Sequence, residues 1–204
     1  MARPAHGGRR RGGRLLARSV PGGSITDPYL ADALLQLHKL KGLADRAVAQ
    51  TRDEDFFRTL DAESNSIALI MKHLAGNMRS RWTGFLTSDG EKPHRDRDSE
   101  FVVEAGDTRA TILERWETGW RLLVAAVTPL TTADLGRTVT IRGEPHTVLE
   151  AINRQLTHYA SHVGQIILLA KHFAGPAWRS LSIPRGKSKE FDVSKDGGVY
   201  RPDR

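Results

Sequence analysis

Apolar residues recur every three or four positions along four separate stretches of the chain, the spacing that lines one face of an α-helix. In the first, Leu30, Leu34, Leu37, Leu40 or Lys41, Ala44, Ala47 and Val48 follow Asp27-Pro28. An acceptor side chain ahead of a proline suits a capped first turn, and the helix is predicted to end near Thr51. The second starts between residues 61 and 66 and runs through Ile67, Ile70, Met71, Leu74, Met78, Trp82 and Phe85, with Asp89-Gly90 as its predicted stop. The third opens at Asp107-Thr108 and carries Ile112, Leu113, Trp116, Trp120, Leu123 and Val127 before Pro129 ends it. The fourth bears Val148, Ile152, Leu156, Tyr159, Val163, Ile166, Ala170 and Phe173, and Gly175-Pro176 stops it.

Only one segment alternates with period two. Thr138-Val139-Thr140-Ile141 runs into Arg142-Gly143, and Glu144-Pro145-His146-Thr147 follows, which predicts a small hairpin leading into the fourth helix. Residues 88–106 hold no period; Glu91, Lys92, Arg95, Asp96, Arg97, Asp98 and Glu100 alternate in sign around Pro93. A structureless segment of that length usually has a function; its Asp89-Gly90-Glu91-Lys92-Pro93 stretch reads as a turn held by surface ion pairs, with a lid as the alternative. No internal repeat is visible. The expected fold is all-α, a four-helix bundle with a small β-hairpin before helix four. Trp82, Trp116 and Trp120 fall at core periodicity and read as packing.

Length and charge refine this picture. A chain of 204 residues accommodates one domain with a sizeable core plus tails. The expected division is a disordered basic arm over 1–23, the bundle over 24–175, and a C-terminal extension over 176–204 partly packed through Trp178, Leu181 and Ile183. The net charge is +7, yet residues 1–20 carry six arginines and no acid, and residues 176–204 carry seven basic against four acidic groups. That leaves 18 basic against 20 acidic groups in residues 21–175, so the folded body is slightly acidic. A nucleic-acid reader concentrates Lys and Arg on the element that meets phosphate, which argues against a nucleic-acid partner. The longest apolar runs, such as residues 122–127, are far too short to cross a bilayer. No hydrophobic segment follows the N-terminal arginines, so a cytoplasmic protein without a membrane partner is expected.

The absence of cysteine leaves histidine and carboxylate as metal-binding chemistry. His158 and His162 stand four residues apart in the fourth helical stretch, and His73 occupies a similar place in the second. On a wheel of ~100° per residue, His158 and His162 lie ~40° apart on the flank of the apolar stripe, beside Ala151, Gln155 and Leu169. His73 flanks its own stripe near Leu69, Asn77 and Arg81. Three imidazoles on one ion leave a coordination position open for water or substrate, as reactive sites require. The alternative is that these are polar residues at bundle edges, or buried histidines with one hydrogen-bond partner each. Two familiar patterns are missing: there is no His-Glu-x-x-His, and no helical stretch carries Glu-x-x-His. Asn77 and Arg81 are candidates for a substrate pocket or for orienting His73, with anchoring of the charged loop as the alternative. Tyr159 is a candidate proton donor whose place on the stripe favours the core. His38, His146 and His172 read as solvated or capping residues, and His6 belongs to the arm.

Several blocks together carry a resemblance: Asn65-Ser66-Ile67-Ala68, Lys72-His73-Leu74-Ala75-Gly76-Asn77, Ser80-Arg81-Trp82-Thr83, Phe85-Leu86-Thr87-Ser88-Asp89-Gly90-Glu91-Lys92-Pro93 and Leu181-Ser182-Ile183-Pro184-Arg185-Gly186. Over roughly residues 27–192 the chain resembles an uncharacterised bacterial family within the DinB-like superfamily. Gly84 and His94 depart from the pattern in and beside the charged loop. The resemblance implies a four-helix bundle, often a homodimer, holding a divalent metal on one histidine of the second helix and two of the fourth. Those positions fall on His73, His158 and His162. Zinc or nickel is the expected ion, with manganese or iron as further options. Characterised relatives include enzymes that transfer a small thiol such as bacillithiol or mycothiol to an electrophile, so a thiol and an electrophile are the expected partners. A metal-dependent hydrolase and a non-enzymatic metal-binding stress protein are the alternatives.

Overall fold

The structure, a computed structural model, describes residues 27–192; the arginine-rich arm and the last part of the C-terminal extension lie outside the described residues. Five α-helices and one two-stranded antiparallel hairpin occur in the order α1 (Pro28–Val48), α2 (Asp53–Phe56), α3 (Ile67–Trp82), α4 (Arg109–Val127), β1 (Thr138–Ile141), β2 (Glu144–Thr147) and α5 (Val148–Ala174). The protein is mostly helical, as the periodicity predicts. α3 packs on α4 and α5, while α1 packs on α5 and α4. Leu30, Leu37, Ile67, Met71, Leu74, Met78, Ile112, Trp116, Leu123, Ile152 and Tyr159 fill the space between them and are all but inaccessible to solvent.

Each long helix starts where a polar side chain can accept the orphan amides of its first turn. Asp27 accepts from the amides of Tyr29 and Leu30, Ser66 from Leu69, and Thr108 and Thr147 form reciprocal capping boxes with Thr111 and Glu150. Asp107 is therefore not a cap. Its buried carboxylate accepts from Lys72 at 2.7 Å and Arg115 at 2.8 Å. Trp116 reaches Asp45 through its indole N–H at 2.9 Å, and Trp116 and Trp120 pack edge to face in the core.

Two boundaries differ from expectation. α1 stops at Val48, and the short α2 follows, burying Phe56 completely. α3 stops at Trp82 rather than at Asp89-Gly90. Thr83 turns extended, Gly84 takes φ 60°, and the amides of Thr87 and Ser88 fold back onto the Gly84 carbonyl at 3.0 and 2.9 Å. Phe85 continues the apolar rhythm by tilting its ring against Trp82, with centroids 4.8 Å apart, so tertiary packing mimics one more helical turn.

α3 is buried on almost all sides, including Lys72, His73, Asn77, Ser80 and Arg81. A helix with that many polar side chains can be buried only if something partners them. The charged segment 88–106, with Asp107 after it, does so for all but Asn77, which Tyr159 of α5 partners. The segment lies along α3 and accepts Lys72 on the Val102 carbonyl, Glu104 and Asp107; Ser80 and Arg81 both donate to the Gly90 carbonyl. The ion pairs of this segment are not all at the surface: Glu100 is buried and the Arg95 side chain is only 5% exposed.

The hairpin pairs Thr138 with Thr147 through Ile141 with Glu144 and turns at Arg142-Gly143, with φ of 59° and 75°. A left-handed conformation at both central residues matches the strand twist but is costly for arginine. Asp89 offsets the cost by accepting from the amides of Arg142 and Gly143 at 2.9 and 2.8 Å, and Gly90 donates to the Thr140 carbonyl at 2.8 Å. Trp178 and Leu181 pack on the core while the Arg179 backbone exchanges two hydrogen bonds with Gln50, and Ile183 is half-buried. No helix among the described residues is long and apolar enough to cross a membrane.

The Glu91 amide, followed by that of Gly143, holds the Asp89 carboxyl down to about 2. A depressed carboxyl stabilises the fold fully above its unfolded pKa of ~3.9 and loses that contribution as pH falls through the folded value. NMR amide shifts of Arg142 and Gly143 should therefore titrate together with a midpoint near 2, and Asp89→Ala should lower the melting temperature near neutral pH. Inflections near ~3.9 would show that the clamp is not formed.

Candidate metal centre

The packing of α3 against α5 brings His73, His158 and His162 together. One ring nitrogen from each lies within 4.8 Å of the others. The i, i+4 spacing sets the two α5 rings 4.8 Å apart, centroid to centroid, and His73 meets them at 5.4 and 5.1 Å. Nε2 of His73 is 3.3 Å from Nε2 of His158. Two nitrogens bound tetrahedrally to one ion at ~2.0–2.1 Å are themselves ~3.3 Å apart, so this pair already has ligand spacing. His73 is buried and the two α5 histidines are half-buried, so the cluster is reached from the α5 side.

Burial keeps the two α5 rings in the form a cation requires. Burial first, then the neighbouring His162 and His73, pushes His158 down to about 3. Arg81 and Arg95 act in the same direction. Burial also lowers His162, opposed by its bond to Gln165. Neutral imidazoles with unprotonated Nε2 atoms are the ligand state, because a metal competes with protons for the same lone pair.

The outer edges are held unequally. Nδ1 of His73 lies 2.8 Å from Oε2 of Glu100, and Nδ1 of His162 lies 2.7 Å from Oε1 of Gln165. Nδ1 of His158 is buried without a partner among the described residues. Phe101 stacks on the His73 ring at 4.7 Å and 28°. Glu100 also accepts Nε and Nη2 of Arg95, both at 2.8 Å. Burial alone would raise the Glu100 carboxyl; the bonds from His73 and Arg95 override it and hold the group below its ordinary value. Gly76 makes this approach possible, since a Cβ at that position would sit 2.7 Å from Cδ of Glu100.

Asn77 and Arg81 lie on the same helix but serve other partners. Asn77 accepts from the Tyr159 hydroxyl at 3.1 Å, which itself accepts from the Trp82 indole at 2.9 Å. Tyr159 is thus a core hydrogen-bond relay, and burial raises its pKa. Arg81 binds the Gly90 carbonyl and Glu91, the loop-anchoring alternative. Sequence reasoning missed Glu100, Phe101 and Gln165. Gln165 stands at i+3 from His162, a spacing at which helical side chains meet; Glu100 reaches His73 across 27 residues of chain, and no local period points to it.

Fold and cluster together define a mostly helical protein with a partly buried histidine triad able to hold a metal ion. The profile of a family described as "Protein of unknown function (DUF1572)" matches residues 24–187, and the chain belongs to that family. No curated protein matches it.

Replacing Tyr159 by Phe should cost about 1–3 kcal/mol, because the Trp82 N–H and the Asn77 carbonyl lose their shared buried partner. Denaturant unfolding measures the cost, and metal binding should be unchanged. A loss of metal binding in a folded Tyr159→Phe protein would place Tyr159 in the centre after all.

Proposed function

We propose that His73, His158 and His162 hold one divalent ion, zinc or nickel, in a DinB-like four-helix bundle, and that the centre works on a small thiol and an electrophile. The observation that carries this reading is the convergence of three imidazole nitrogens on one point, with no fourth His or carboxylate joining the group among the described residues. A divalent ion there would bind a thiol as its thiolate, delivering a nucleophile near neutral pH. The chain itself supplies no cysteine, so the sulfur must come from a second molecule.

The surrounding side chains favour thiol transfer over hydrolysis. A metal hydrolase of the glutamate-assisted kind places a free base beside the attacking water. The nearest carboxylate, Glu100, is committed to His73 and to both faces of the Arg95 fork, and Tyr159 is committed to Asn77 and Trp82. The bundle assignment also implies a homodimer, which sedimentation of the full chain would read.

Elemental analysis of untagged protein should find about one zinc or nickel per chain, and the loaded protein should consume a thiol in the presence of a reactive electrophile. His158→Ala should remove metal and thiol consumption together while leaving helical content intact, since two imidazoles rarely retain such an ion. Hydrolysis of amides or esters without any thiol would replace this reading with the hydrolase. A protein that takes up no divalent ion would end both.

A further inference from the structure

Of the three histidines, one has a charged outer partner. Glu100 is a carboxylate, an acceptor only, so the hydrogen in its 2.8 Å contact sits on Nδ1 of His73. That leaves Nε2 bare in the neutral ring, and Nε2 is the atom 3.3 Å from His158. The other edges of the ring are equally constrained. Phe101, next in sequence to Glu100, covers one face of His73, so a single 3-10 turn, Asp98–Phe101, grips the ring by its edge and its face.

Glu100 is itself fixed by design of its surroundings. Arg95 takes both of its oxygens, the bidentate geometry that orients a carboxylate best. Arg95 also bonds Glu91, and Glu91 accepts from Arg81 on α3 and Arg142 on the hairpin. The chain of alternating charges thus runs from the hairpin turn to the histidine. Gly76 supplies the gap in α3 through which the carboxylate approaches.

We infer that Glu100 is the positioning residue of the metal centre, holding His73 in the Nδ1–H tautomer with Nε2 aimed at the ion. The inference rests on the metal reading above. A carboxylate behind a ligating imidazole fixes its tautomer and raises its basicity, and losing such a partner typically lowers metal affinity 10–100-fold. His158 and His162, with no partner and a neutral one, depend on packing for the same task.

The test compares zinc affinity, by competition with a chromophoric chelator, and the visible spectrum of the cobalt-loaded protein, for wild type, Glu100→Gln and Glu100→Ala. Arg79→Gln, at an exposed site on α3, serves as control. Glu100→Ala should bind zinc 10–100-fold more weakly with a shifted cobalt band. Glu100→Gln, which keeps an acceptor but not the charge, should fall between it and wild type, and Arg79→Gln should match wild type. Wild-type affinity and spectrum in both Glu100 variants would overturn the positioning role while leaving the metal reading standing. Failure of wild type itself to bind would sink the metal reading. Because the Glu100 variants take the bidentate partner of Arg95 out of the interior and could unfold, the wild-type tautomer is read independently by long-range nitrogen–proton NMR of the metal-free chain in mildly alkaline buffer. A protonated Nδ1 with bare Nε2 on His73 is expected; the opposite tautomer would overturn the inference.

Discussion

The interior position of α3 is the constraint from which most of the structure follows. Five of its side chains, Lys72, His73, Asn77, Ser80 and Arg81, are polar and almost without solvent contact. Removing one partner from a buried charge typically costs ~3–5 kcal/mol, so the helix tolerates this only with a dedicated cover. Tyr159 covers Asn77, the segment from Asp89 to Asp107 covers the other four, and its partners arrive in order along the helix: Gly90 and Glu91 at the Arg81 end, Glu100 at His73, Glu104 and Asp107 at Lys72. Helix and loop stand or fall as one unit.

The same arrangement sets the electrostatics of the histidine cluster. Arg81 and Arg95 sit close enough to His158 to oppose its protonation, and their charge is balanced by Glu91 and Glu100. An imidazole surrounded by fixed cations and little water stays neutral without help from bulk solvent. The loop therefore does two jobs with one set of residues: it satisfies α3, and through Arg95 it adds to the burial that keeps His158 unprotonated.

How far this was legible in the sequence depends on the range of the interaction. The starts of α1 and α4 were readable because capping is local: Asp27 and Thr108 act within three residues of themselves. The hairpin was readable from alternation, and Arg142-Gly143 marks its turn. The end of α3 was not, because Phe85 keeps the helical period while packing as a turn residue. The pair His158 and His162 follows from the α5 period; bringing His73 to it required the resemblance, since periodicity gives faces and not neighbours. Glu100 was hidden among eight other charges in residues 88–106, a segment without period, and nothing local marks it as the acid that turns onto His73.

Gly76 shows where a general rule of protein engineering reverses. Glycine inside a helix is normally the first residue a designer would exchange, since alanine in its place gains about 1 kcal/mol. Here the missing methyl group is the seat of the Glu100 carboxylate. A stabilisation campaign guided by helix propensity alone would select Gly76→Ala and wedge the loop away from the histidines, trading the site for a better helix.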